Sequence, residues 1–179
     1  MTDLAGREQV EILADKDPGV GLPGRVYLPG YSKTMGPQSH LFAERERLQS
    51  LTWEYFDVKQ LSPTIGAELV GLDLSQELTD EVVSEIQQAL WDYKVIFFRN
   101  QEITSEEQLR FAQRFGELEI HPFLPPNTET PELVRFEKNA NAAGYENQWH
   151  HDVTWRETPS QGAILRAIEI PPIGGDTLF

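Results

Sequence analysis

The sequence predicts an α+β protein, mainly β, built around a jelly roll or barrel. Two observations lead there. Helical periodicity is confined to two stretches ahead of Gly116, and beyond them short apolar runs broken by Gly, Pro and Asn dominate to Phe179. The length of 179 residues, with 39% apolar and 25% charged residues, describes a globular chain with a real core and excludes wholesale disorder.

Residues 1–50 carry several Gly and Pro without sustained periodicity, and the expectation is an extended N-terminal arm. Only LFAERERLQ breaks this, predicting a turn or two of helix near Phe42–Leu48. The arm is either a surface tail or a subunit contact, and a homo-oligomer is expected. From residue 51 to 179 the texture is that of a folded domain. YFDVKQL and GAELVGLDL read as short strands, the second with Ala67, Leu69 and Gly71 on one face.

Thr79 followed by Asp80 and Glu81 is a helix start: a hydroxyl to cap free amides, then acids facing the positive end of the dipole. Val82, Ile86, Ala89, Leu90 and Tyr93 recur at helical spacing behind it, and VIFF at 95–98 suits a buried strand. A second helix begins at Thr104, where Thr104 and Glu107 form a capping-box pattern and Gly116 supplies the stop. Its apolar face is Leu109, Ala112 and Phe115. Strands are then expected around LEIHP, ELVRFE, WHHDVTW, GAILRAIEI and DTLF.

Composition narrows the chemistry. A formal net charge of −14 with no basic stripe repels phosphate backbones and anionic bilayers, so nucleic acid and membrane partners are not expected. The absence of cysteine rules out disulfides, thiolate catalysis and thiolate metal sites, leaving His, Asp and Glu as ligands. The first residues have neither a basic nor an apolar region of a signal peptide, and no run reaches membrane-span length; a cytoplasmic protein is expected.

QWHHDVTW carries the site. On a strand, residues i and i+2 share a face, so His150 and Asp152 converge while His151 points away. One imidazole and one carboxylate are two-thirds of the two-His, one-carboxylate triad that leaves a face of Fe(II) open to a co-substrate and dioxygen. As a bare pattern His-x-Asp arises readily by chance in an acidic chain, and the flanking sequence decides the matter.

NQWHHDVTWRETPSQGAILRAIEIPPIGGDTLF closely resembles the TauD/TfdA family of iron(II)/2-oxoglutarate oxygenases, and so does YKVIFFRNQEITSEEQLRFAQRFGELEIHP upstream. The resemblance spans about Asp57–Phe179. It implies a double-stranded β-helix of the clavaminate synthase-like type with flanking helices. It also implies Fe(II) as cofactor, with 2-oxoglutarate and O2 as co-substrates.

By the same resemblance His150 and Asp152 are the first two iron ligands. Thr177 in GGDTLF is the hydroxyl that contacts a 2-oxoglutarate carboxylate, and His121, Val153 and Trp155 line the pocket of a small anionic substrate. The implied reaction is hydroxylation of a small organic acid, a sulfonate or an alkyl sulfate. It yields an aldehyde and sulfite or sulfate, together with succinate and CO2.

Two positions depart from the taurine pattern: Glu146 stands in place of an asparagine and Leu124 in place of a tyrosine. Both would touch the substrate, which argues against taurine itself. The resemblance implies a second iron-binding histidine well downstream of the motif, near an arginine for 2-oxoglutarate; no histidine follows His151, so a truncated chain is expected. The alternatives are a catalytically inactive binding module of the same fold, or a cupin-like metal hydrolase using His121, His150 and Asp152.

Overall fold

Short-range hydrogen bonding decides most of the architecture before residue 116. The computed structural model describes residues 39–121, 128–137, 149–150, 152–153 and 155–179. Two units divide between Leu51 and Thr52, each taken by itself. In the first, helix α1 spans Ser39–Gln49, longer than the turn or two expected at Phe42–Leu48. The Arg47 guanidinium pairs with the Glu44 carboxylate one turn back, at 2.9 and 3.0 Å. The rest of the expected arm lies outside the described residues.

The second unit holds a three-stranded mixed sheet in the order β1-β2-β3. Strand β1 (Asp57–Gln60) runs antiparallel to β2 (Ala67–Val70), in register from Asp57 opposite Val70 to Gln60 opposite Ala67. The connection closes on the Leu61 amide donating to the Gly66 carbonyl at 2.9 Å, and Gly66 sits at φ +85°, a conformation open to glycine. Ala67 and Leu69 are buried as the alternation requires, whereas Gly71 lies past the strand and is exposed.

Helix α2 (Asp80–Tyr93) crosses over to β3 (Ile96–Phe97), which pairs parallel with β2. Thr79 caps α2 as expected, accepting from the Val82 amide. The buried face is Val83, Ile86, Ala89 and Tyr93, so Val83 replaces Val82, and Leu90 joins Val82 on the half-buried flank. Trp53 stacks on Phe56 with ring centroids 5.5 Å apart and tilts against Tyr93. The Glu85 carboxylate accepts the Glu54 and Tyr55 amides at 2.7 and 2.9 Å, tying the approach to β1 onto α2.

Helix α3 (Ser105–Gln113) opens with the expected capping box. The Glu107 amide donates to the Thr104 hydroxyl at 3.2 Å, and the Thr104 amide donates back to the Glu107 carboxylate at 2.7 Å. Its buried residues are Gln108 and Phe111, with Leu109, Ala112 and Phe115 half-buried. Phe111 meets Phe98 and Phe115 edge-on at 5.7 and 5.1 Å. Arg114 donates to the Leu78 carbonyl and pairs with Asp80, both at 2.5 Å, which fixes α3 against the start of α2.

Beyond Phe97 the described residues contain no strand. The expected strands ELVRFE, GAILRAIEI and DTLF are irregular there, and the described residues of WHHDVTW include a turn at Asp152–Val153. A strand is a property of a pair: alternating side chains become one only where a neighbouring backbone offers a ladder. Ile164, Leu165, Ile168, Ile170, Ile173, Leu178 and Phe179 are accordingly exposed. The architecture shown is α+β with a small mixed sheet.

Candidate metal centre

His150 and Asp152 do come together. Nε2 of His150 lies 3.3 Å from Oδ1 of Asp152, and both side chains are 70% exposed. Asp152 and Val153 lie in a turn rather than in the strand expected. Val153 adopts φ +55°, and the Arg156 amide donates to the Val153 carbonyl at 3.3 Å. Strand alternation thus anticipated that the two side chains lie close together, but Asp152 and Val153 are in a turn and not in a strand. His151 lies outside the described residues, as do Glu146 and Leu124.

Metal–ligand bonds of about 2.1 Å at a right angle place two donors about 3 Å apart. The His150–Asp152 pair fits that separation, with one nitrogen and one oxygen exposed together, so these residues fit as two adjacent ligands of a divalent cation. Among the described residues no third His, Asp or Glu joins them, so His121 is not gathered into a three-ligand set with the pair.

The other expected residues differ in exposure. Val153 is buried, while Trp155 is 61% exposed and Trp149, on the other side of the motif, 79% exposed. Thr177 is exposed and follows a turn in which Gly174 and Gly175 sit at φ +80° and +76°. A Cβ at Gly175 would approach the Pro171 ring to 3.2 Å, so the GG pair shapes the chain that presents Thr177.

His121 is half-buried, and a contact absent from the sequence reading ties its segment to the motif. One Glu119 carboxylate oxygen pairs with Arg156, and the other accepts from the Ser160 hydroxyl at 2.8 Å. The Ser160 hydrogen bond holds the Glu119 carboxyl below the usual carboxylate range. Burial opposes this, and Arg156 and nearby His121 reinforce it. Residues so far apart in sequence give no periodic signal, so nothing local could have revealed this pairing.

Residues 57–179 match the family described as "Taurine catabolism dioxygenase TauD, TfdA family". An alkylsulfatase of Acinetobacter baylyi is 38% identical over 127 residues, covering 70% of this chain and 39% of the relative. An alpha-ketoglutarate-dependent sulfate ester dioxygenase of Pseudomonas putida is 39% identical over 125 residues, covering 69% of this chain and 40% of the relative. An alpha-ketoglutarate-dependent sulfonate dioxygenase of Saccharomyces cerevisiae is 29% identical over 156 residues, covering 80% and 36%. A crystal structure of a taurine dioxygenase from Burkholderia xenovorans is 38% identical with a TM-score of 0.42, covering 46% of this chain and 32% of that one. The chain spans about two fifths of the length of the first two relatives.

Proposed function

This chain belongs to the TauD, TfdA family, and from that premise we propose that it provides part of the active site of an Fe(II)- and 2-oxoglutarate-dependent dioxygenase. The observation that carries the proposal is the exposed His150–Asp152 pair, 3.3 Å apart, inside the matched region. The finer architecture proposed is the double-stranded β-helix with flanking helices. A cytoplasmic location is proposed with it; among the described residues no helix is long and apolar enough to cross a membrane.

His150 and Asp152 would hold the metal through Nε2 and a carboxylate oxygen. The metal, when bound, supplies the coupling of dioxygen and 2-oxoglutarate to oxidation of a substrate C–H bond, giving succinate and CO2. Thr177 would donate its hydroxyl to a carboxylate of 2-oxoglutarate, adding a charge-assisted hydrogen bond without bulk. His121 would donate to the substrate's anionic head, and Val153 and Trp155 would bound its apolar part. An imidazole can do this neutral or charged, which suits an anion inside an acidic protein.

The substrate class proposed is a sulfate ester, with sulfonates second. The sulfate-ester relatives are 38% and 39% identical, against 29% for the sulfonate relative. Hydroxylating the carbon that bears the ester oxygen gives an adduct that collapses to an aldehyde, releasing sulfate. The same step beside a sulfonate releases sulfite.

The test uses full-length protein with Fe(II), ascorbate, 2-oxoglutarate and a panel of alkyl sulfates and alkanesulfonates. Sulfate or sulfite should appear together with succinate. Asp152→Ala should abolish the release and weaken Mn(II) binding at least tenfold by titration. Folded protein that releases neither ion from any member of the panel would sink the assignment.

A further inference from the structure

Glu119 belongs to no expected part of the site, yet both of its carboxylate oxygens are engaged by the loop that follows the metal motif. Arg156 pairs with Oε1 and Ser160 donates to Oε2 at 2.8 Å. Arg156 lies four residues beyond Asp152, and its amide closes the turn on the Val153 carbonyl. Glu119 lies two residues before His121 on the same segment. The clamp therefore joins the segment carrying the substrate-side imidazole to the turn carrying the metal pair. Its ion-paired side chains are each 36% exposed, so the pair responds to charge and ionic strength, and the Ser160 hydrogen bond adds a second tie to the same carboxylate.

We infer that Glu119 is a positioning residue, which through Arg156 and Ser160 sets where His121 holds the anionic head of the substrate relative to His150 and Asp152. The inference rests on the proposed dioxygenase reading for its catalytic consequence, but its geometric content stands apart from that reading. A substrate anchored at its head must present one carbon to the metal, and an error of an ångström in the anchor misplaces that carbon. Loss of the clamp loosens the anchor while leaving the metal pair and the 2-oxoglutarate contacts in place.

The experiment has a kinetic arm and a distance arm, both on full-length protein. Glu119→Gln and Arg156→Gln should each raise KM for a sulfate ester about fivefold, the scale of a half-exposed ion pair. KM for 2-oxoglutarate and Mn(II) affinity should stay within about twofold of wild type, since neither ligand meets the clamp. More 2-oxoglutarate should be consumed per substrate oxidised. The charge exchange Glu119→Arg with Arg156→Glu should recover most of the loss.

In the distance arm, nitroxides are placed at Ile120→Cys and Glu157→Cys; residues 1–179 contain no cysteine, and any cysteine elsewhere in the full-length protein is replaced by serine. Both sites are exposed. Their dipolar coupling should be narrow in the parent and broaden on Glu119→Gln or Ser160→Ala, with unchanged melting temperature showing that the fold persists. An unchanged coupling in those variants overturns the clamp, as does a charge exchange that folds but restores no substrate affinity. If the parent oxidises no sulfate ester or sulfonate, the dioxygenase reading fails alone, and the label pair still decides the clamp.

Discussion

Val153 combines two costs that a sequence pattern does not reveal. It is a buried β-branched residue, and it sits at φ +55°, where a side chain crowds its own backbone. The left-handed conformation costs an ordinary L-residue about 1–2 kcal/mol, and glycine escapes that cost. In a strand, Ala would be better than Gly by about 0.5–1 kcal/mol; here the order should invert. Val153→Gly is expected to be more stable than Val153→Ala by about 1 kcal/mol in urea denaturation, although it removes more apolar surface. If Ala proves the more stable, the turn at Asp152–Val153 gives way to the strand the sequence suggested. Val153 reads as strand because β-branched residues favour extended backbone, and its positive φ runs against that preference. The closeness of His150 and Asp152 was therefore legible, while the conformation of Val153 beside them was not.

The helices were legible because their signals lie within one turn of their ends. Thr79 and Thr104 both cap as expected, but the two caps are unequal. The Thr104 hydroxyl accepts from the Glu107 amide at 3.2 Å and the Thr104 amide donates to the Glu107 carboxylate at 2.7 Å, whereas the Thr79 hydroxyl accepts from the Val82 amide at 3.4 Å. Thr104→Ala should destabilise the fold by about 1 kcal/mol and Thr79→Ala by about half that, compared as urea midpoints at constant slope. Equal losses would show that the shorter hydroxyl contact at Thr104 adds nothing over the longer one at Thr79. The buried face of α2 was legible only to within one residue, since Val82 and Val83 both border the Ile86–Tyr93 stripe and packing chooses between them. Strands were less legible still. β1 and β2 find each other across a short connection, but β3 pairs with β2 only after the α2 crossover, and GAILRAIEI has the alternation of a strand without a described partner.

Across the whole molecule, charge and local carboxylate bonding act in opposite directions as pH falls. With a net charge of −14 at pH 7, self-repulsion diminishes on acidification, which favours the compact state. Against this, three carboxyls titrate below their ordinary range in the folded protein. Asp73 is held down by the Ser75 hydroxyl and amide, and Glu81 by a hydrogen bond from its own backbone amide and by the Thr79 side chain. Glu119 is held down by Ser160 and, beyond it, by Arg156 and His121. A carboxyl with a depressed folded pKa binds its proton more readily unfolded. Its contribution is complete above the unfolded value and disappears as pH falls through the folded one. Melting temperature should therefore hold or rise from pH 8 to about pH 5, then fall steeply below about pH 4. Asp73→Asn removes one of these titrating groups, so its acid limb should be shallower than the parent's. The comparison is made by circular dichroism melts across the same buffers. An unchanged slope would mean that Asp73 is not held by Ser75 in solution, and a melting temperature that climbs steadily down to pH 3 would mean that repulsion alone governs the molecule. The sequence supplies the total charge that sets the first effect, but the second depends on which hydroxyls and amides folding brings to each carboxylate.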